Sequence, residues 1–210
     1  MGRKYSIILI VLLVATLKLT AQSGYSNIEF IENKGQWDSR VRYMGNVSAG
    51  AFFLERNGFT VVMQNQEDLK KVIHRHHGAT GQNTVSANSP DASKGRDLRV
   101  RSHAYAMKFE GASNDAAIWP DKPLPGYNNY ILGNDPSKWA AECKIFQAIT
   151  YKNVYPNVDV RYYTESGQLK YDIIINPGAD ISKIAMTYDG ADKIAVKNGE
   201  LIIKTSVGEV

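Results

Sequence analysis

YNNYILGNDPSKWAAECKIFQAITYKNVYPNVDVRYY, residues 127–163, decides the fold class. Its aromatic and β-branched residues recur at close to every second position between two turn clusters, Gly133-Asn134-Asp135-Pro136-Ser137 and Pro156-Asn157. A period of two is that of a pleated strand with one face on a core, so the stretch reads as strands joined by turns. It contains no catalytic constellation.

The same rhythm extends toward the N-terminus. Ile28 to Ile31, Val41 to Val47, Ala51 to Glu55 and Phe59 to Gln64 are short apolar runs separated by Asn33-Lys34-Gly35, Ser48-Ala49-Gly50 and Asn57-Gly58. Asn-Gly between two such runs predicts a hairpin whose turn uses positive φ, pairing Phe52-Phe53-Leu54 with Phe59-Thr60-Val61-Val62. His103 to Phe109 alternates as a further strand, and Trp119 to Gly126, with three prolines, reads as an extended connection. Downstream, Cys143 to Lys152, Val158 to Thr164, Leu169 to Ile175, Ile184 to Tyr188, Ile194 to Val196 and Leu201 to Thr205 repeat the pattern. Many short strands at this spacing predict an all-β, antiparallel, sandwich-like domain rather than any βαβ arrangement.

Residues 65–102 break the rhythm. They are rich in Ser, Asn, Gly and Ala, bury too little apolar surface to offset the entropy of ordering, and predict a long mobile loop, with a brief helix over Glu67 to His77.

Residues 1–21 have the build of a signal peptide: Arg3 and Lys4, the apolar run Ile7 to Leu17, then Leu19-Thr20-Ala21 before Gln22. A membrane-spanning helix needs about 20 apolar residues, roughly twice this run, so cleavage after Ala21 is the expectation. Residues 22–210 then form a single β-rich domain, located extracellularly or on the outer cell surface, with no membrane insertion once the leader is removed. The formal charge of +4 reflects 25 basic and 21 acidic residues; losing Arg3, Lys4 and Lys18 leaves 22 basic residues. A near-neutral mature chain gives no electrostatic footprint for nucleic acid. The single cysteine, Cys143, forms no intramolecular disulfide and reads as a small buried hydrophobe.

Four segments together carry a resemblance: Phe30-Ile31-Glu32-Asn33-Lys34-Gly35-Gln36-Trp37, Gly133 to Trp139, Val154 to Tyr163 and Leu169 to Asp180. They resemble the uncharacterised N-terminal domain of large exported surface proteins of the Bacteroidetes type. Such proteins often continue into SBBP or PKD repeats and end in a gliding-motility-associated or type IX secretion sorting domain. The resemblance implies a β-rich extracellular module linked to adhesion or gliding, and it brings no catalytic residues. Asn157 stands where these modules more often carry Gly, and Asn also tolerates the left-handed conformation. Because such modules run on into further domains, the expectation is a chain truncated at Val210, with Leu201 to Thr205 left as an unpaired edge.

No residue is assigned as catalytic, cofactor-binding or metal-binding. His74, His76 and His77 are the one imidazole cluster, but they sit at the margin of the segment expected to be mobile; His103 reads as a satisfied or surface histidine. Asp135 and Asp180 head turn motifs, and calcium is the weaker reading of their oxygens, since an EF-hand rhythm is missing. Asp159, Asp172 and Glu165 have the residue types of a glycosidase pair, but Arg161 and Lys170 on the neighbouring strand predict cross-strand ion pairs. Trp139 is expected to close its loop against the core. Tyr127, Tyr130, Tyr151, Tyr155, Tyr162, Tyr163 and Tyr171, with Trp119 and Trp139, would offer a sugar platform if exposed, although alternation should turn half of them inward. The sequence thus predicts a non-catalytic structural or interaction module whose partner is a protein or glycan at the cell surface. A carbohydrate-binding or carbohydrate-active domain is the alternative.

Overall fold

The computed structural model describes residues 28–47, 49–78, 99–165 and 168–210, with the side chains of residues 75–78 excepted. The expected signal peptide and much of the expected mobile segment lie outside the described residues.

The chain is antiparallel β throughout the described residues apart from one helix and two short 3-10 turns. Its strands are β1 (Phe30–Glu32), β2 (Tyr43–Val47), β3 (Gly50–Glu55), β4 (Gly58–Gln64), β5 (Ser102–Phe109), β6 (Ala117–Tyr130), β7 (Ala140–Tyr155), β8 (Val158–Glu165), β9 (Gln168–Ile175), β10 (Met186–Asp189), β11 (Lys193–Lys197), β12 (Glu200–Thr205) and β13 (Gly208–Glu209). Ten of them make one sheet in the order β10-β5-β4-β3-β2-β1-β7-β8-β9, with β6 also paired to β7. β11, β12 and β13 form a second, small sheet.

Strand β7 makes the large sheet curl. Its first half pairs with β1 at Phe30↔Phe146 and its second half with β8 at Ile149↔Tyr162, while β6 runs along the other side from Ala140 to Lys152. The sheet therefore divides into two leaves that fold onto each other. Rings from both leaves meet between them: Tyr162 of β8 lies 6.1 Å from Phe52 of β3, 6.2 Å from Phe59 of β4 and 5.6 Å from Tyr151 of β7. Phe30, Phe52, Leu54, Met107, Ile149 and Tyr162 are essentially inaccessible to solvent. Burying each such side chain is worth about 2 kcal/mol, with edge-on ring pairs adding about 0.5–1.5 kcal/mol.

The hairpin expected between Phe52-Leu54 and Phe59-Val62 is present, in the register Leu54↔Phe59 and Phe52↔Val61. Its turn differs from the expected one. Neither Asn57 nor Gly58 has positive φ; the two-residue loop is Arg56-Asn57, closed by Glu55↔Gly58. Glycine is required at 58 for room, because a Cβ there would lie 2.0 Å from the Met107 carbonyl oxygen. Asn198 and Gly199, with φ of 53° and 83°, do form the left-handed pair of a tight hairpin between β11 and β12. Asn157, φ 63°, follows Pro156 at the β7–β8 turn, where its tolerance of the left-handed region is used.

Three sequence expectations change. The connection at Trp119 to Gly126 is part of a 14-residue strand, β6. The length of β7 supplies a partner, and Pro120, Pro123 and Pro125 are tolerated because β6 lies at a sheet edge, where a missing N–H breaks no ladder. In residues 65–102 the helix expected over Glu67 to His77 is present as α1, Gln66–Gly78, and the change is at the far end, where Ser102 already belongs to β5. Asn65 caps α1 through its side-chain oxygen, which accepts from the Asp68 amide at 3.0 Å. The Asp68 carboxylate then accepts from Arg101 Nε at 2.7 Å and Nη2 at 3.2 Å, fastening both ends of the segment. Finally, β12 is no unpaired edge. It lies between β11 and β13, and Thr205 Oγ1 donates to the Gly208 carbonyl at 2.7 Å to turn the chain back.

Candidate functional site

The residues nominated from the sequence mostly resolve into architecture. Asp159 of β8 is 5% exposed and accepts from Lys152 Nζ at 2.7 Å, the Asn153 amide at 2.9 Å and Asn176 Nδ2 at 3.4 Å. Burial opposes its ionisation, but those hydrogen bonds prevail and hold the carboxyl below its ordinary value. Cross-strand ion pairs are present at Lys152–Asp159 and Lys170–Glu165, but Arg161 and Asp172 do not pair with each other. The two face each other in register, yet Arg161 Nη2 binds Asp121 of β6 at 3.0 Å, and Asp172 accepts from the Tyr163 hydroxyl at 3.2 Å. Lys170 binds Glu165. Each of these three carboxylates is thus engaged within the sheet.

The two aspartate turns share one geometry. Asp135 precedes the 3-10 turn Pro136–Lys138 and accepts from the Ser137 amide and hydroxyl at 3.1 and 2.7 Å; Asp180 does the same for Ser182 at 3.1 and 2.6 Å. A bonded serine holds each of these carboxyls below its usual range. Trp139 does not pack on the core: it is 43% exposed and closes its loop by donating from Nε1 to the Gly133 carbonyl at 3.3 Å. The Asn33 to Trp37 motif owes its shape to one side chain. Asn33 Nδ2 donates to the carbonyls of Asp38 and Val41, each at 2.9 Å, and Oδ1 accepts from Gly35 and Trp37. This seats Trp37 edge-on against Tyr130 at 5.1 Å, over buried Cys143. Burial pushes the Cys143 thiol up, as befits an inert packing residue.

His74 lies exposed on α1, and the side chains of His76 and His77 lie outside the described residues. His103 is satisfied: Nδ1 accepts from the Ser206 amide at 3.3 Å, which leaves Nε2 to donate to the Gly190 carbonyl at 2.6 Å. The ring thereby clips the small sheet to β5. Among the described residues no group of three or more His, Cys, Asp or Glu side chains is placed to hold a metal ion.

The aromatic residues divide as alternation requires. Tyr151, Tyr155 and Tyr162 are buried, whereas Trp119 and Tyr127 on β6 are 62% and 56% exposed. With Ile131, Leu132 and Trp139 in the turn after β6, they leave large apolar side chains along one edge of the sheet and its adjoining turn.

A second feature was not singled out in the sequence. A cleft of about 450 Å³ opens where β2, the β3–β4 hairpin and β5 end together. Arg40, Arg42, Arg56 and Lys108 line it with a single carboxylate, Glu55. Arg40 is neutralised by Asp38, Nε to Oδ1 at 3.0 Å, and Arg56 Nη1 donates to the Asn114 carbonyl at 2.7 Å. Among the described residues Arg42 and Lys108 have neither a hydrogen-bonded nor an ion-paired side-chain partner. Among the described residues, three buried side-chain polar atoms lack any partner: Arg42 Nε, Asn57 Oδ1 and Tyr151 OH. The first two residues line this cleft, and the Tyr151 phenol lies within the field of Arg42, Arg56 and Glu55. Three arginines within seventeen positions flanking one hairpin were the available signal. Divided between the approach to β2 and the β3–β4 turn, they do not form a run that a linear reading picks out.

The profile of a family described as Domain of unknown function (DUF7948) matches residues 30–210. No curated protein and no solved structure matches the chain.

Proposed function

We propose that this chain, which belongs to the DUF7948 family, is a non-catalytic interaction module at the N-terminus of an exported cell-surface protein. The observation that carries the reading is the exposed series Trp119, Tyr127, Ile131, Leu132 and Trp139 on edge strand β6 and its turn. Large apolar side chains grouped on a surface are the usual mark of a partner site, and rings contribute most of the energy there. The carboxylates that a hydrolase would need are engaged elsewhere: Asp159 with Lys152, Asp172 with Tyr163, Glu165 with Lys170.

Export rests on the leader composition, and adhesion or gliding at a Bacteroidetes-type surface rests on the resemblance of the four motifs. Among the described residues no helix is long and apolar enough to cross a membrane. A carbohydrate-binding role is the second reading, favoured by Trp119 and Tyr127, because an exposed ring offers an apolar face to a sugar. The test is the attachment of labelled full chain to cells of the native host. Replacing Trp119 and Tyr127 with Ala should abolish most attachment with an unchanged unfolding midpoint; undiminished attachment removes the edge as the site. N-terminal sequencing of protein recovered from that host should begin at Gln22, and an intact Met1 would end the export argument.

A further inference from the structure

We propose that Lys152, Asp159 and Asn176 form a self-modifying site at which Lys152 Nζ displaces the side-chain nitrogen of Asn176, joining β7 to the end of β9 by an isopeptide bond. The inference stands on residues other than those of the β6 edge, so the two fail separately.

Three consecutive strands bring the groups together. Lys152 lies near the end of β7, Asp159 at the start of β8, and Asn176 directly follows β9. Asp159 Oδ1 is taken by the Asn153 amide at 2.9 Å, which leaves Oδ2 to accept from both Lys152 Nζ at 2.7 Å and Asn176 Nδ2 at 3.4 Å. An amine and a carboxamide thus share one acceptor atom. The two distances keep Nζ within about 6 Å of Nδ2, and turning the flexible lysine stem brings it toward the roughly 3–3.5 Å of a near-attack position. Both backbones are fixed: the Asn176 amide donates to the Asn157 carbonyl at 2.9 Å, and Lys152 is in register with Ala117 of β6. Among the described residues no other lysine–carboxylate pair has its acid bound to an asparagine amide.

These contacts are the reactant arrangement. Asp159 accepts a proton from the Lys152 ammonium and returns it to the departing nitrogen as the Nζ–Cγ bond forms and the Cγ–Nδ2 bond breaks. Nζ loses two protons in all, the leaving NH2 group gains both, and ammonium departs with the carboxylate restored. The step needs no oxidant. The hydrogen bonds that hold Asp159 ionised make it slow, and one event per molecule is enough. Pro177 blocks the rival fate of an asparagine, attack by the following backbone nitrogen, because proline has no N–H. With its single cysteine the chain forms no disulfide of its own; the isopeptide closes the loop from Lys152 to Asn176 and restricts the unfolded chain as a disulfide does.

Peptide mapping of the full chain, held folded in neutral buffer, decides the matter. The intact mass should fall by about 17 Da, that of ammonia, and trypsin should release one branched peptide joining Lys152 to Asn176, with no cleavage after Lys152. The Asn-Gly steps at Asn57 and Asn198 can shed the same mass, so the branched peptide is the criterion. Lys152→Arg keeps a cation beside Asp159 but supplies no nucleophilic amine, and should give no branched peptide. Asp159→Asn should slow its formation at least about a hundredfold, whereas Trp119→Ala should leave it unchanged. Cleavage after Lys152 with Asn176 unmodified after prolonged incubation overturns the proposal, as does bond formation in Asp159→Asn at the parent rate. So does a branched peptide formed equally fast in chain unfolded by urea, which would mean chance reactivity rather than a built site.

Discussion

Asp159 and Arg42 are both charged side chains drawn into the same curled sheet, and their surroundings differ in kind. Asp159 sits where β7 bulges at Asn153, φ 55°, and three donors converge on its carboxylate. Arg42 sits where β2 begins, its backbone amide bound to the Leu54 carbonyl at 2.7 Å and its guanidinium Nε buried with no acceptor. A carboxylate saturated by protein donors is spent on holding strands in register. A guanidinium whose Nε meets no acceptor among the described residues adds nothing to that register. The contrast separates structural charge from available charge without reference to residue type.

The largest effect should come from emptying the saturated cluster. Asp159→Ala strands the Asn153 amide and Asn176 and removes the partner of Lys152, and should cost about 3 kcal/mol in urea denaturation at pH 7, near the low end for a broken buried pair because Lys152 is partly solvated. A loss under about 1 kcal/mol would erase the distinction drawn above.

The same carboxylate gives the comparison a pH dependence. Its folded-state value lies below the ordinary 3.8, so its stabilisation is complete above the unfolded value and disappears as the pH falls through the folded one. Stability should therefore fall on acidification below about pH 4, and Asp159→Asn should flatten that part of the curve. An identical slope in the variant would show that other carboxyls govern the acid limb.

The unsaturated cluster should respond with the opposite sign. Tyr151→Phe deletes a buried hydroxyl that has no partner and should raise stability by about 1 kcal/mol. A loss of that size would reveal a bonded water at the phenol. Smaller still, Arg42→Met should change the unfolding free energy by no more than about 0.5 kcal/mol, because no side-chain hydrogen bond or ion pair among the described residues is lost. A large destabilisation there would return Arg42 to the structural class.

The two clusters were not equally legible. Alternation exposed the strands, including the β3–β4 pairing, and required half of the aromatic residues to turn inward without naming Tyr151, Tyr155 and Tyr162, since period two is a local property of the chain. It also placed Asp159 and Asp172 on adjoining strands, though not their partners. Lys152 and Asp121 become neighbours through β7 and β6, and the prolines at 120, 123 and 125 hid β6 because an edge strand can do without donors that an interior strand needs. Arg40, Arg42, Arg56 and Lys108 meet at three strand ends whose proximity is set by the order β5-β4-β3-β2, a non-local fact. The strand after Thr205 escaped notice for a simpler reason: two residues, Gly208 and Glu209, are too few to show a period.

Strand β7 also dictates a timetable. It alone among the described strands pairs with three others, β1, β6 and β8. The inner leaf from β1 to β5 has its outer margin at Ile31 covered by Ile145, more than a hundred residues later. During synthesis at about 5–20 residues per second, that margin stays bare for several seconds after β5 has emerged. On the export proposed above, such a delay is an advantage, since the early half lacks a partner until the seam strand arrives. A chain stalled before residue 140 would instead display an open ladder to every other copy beside it.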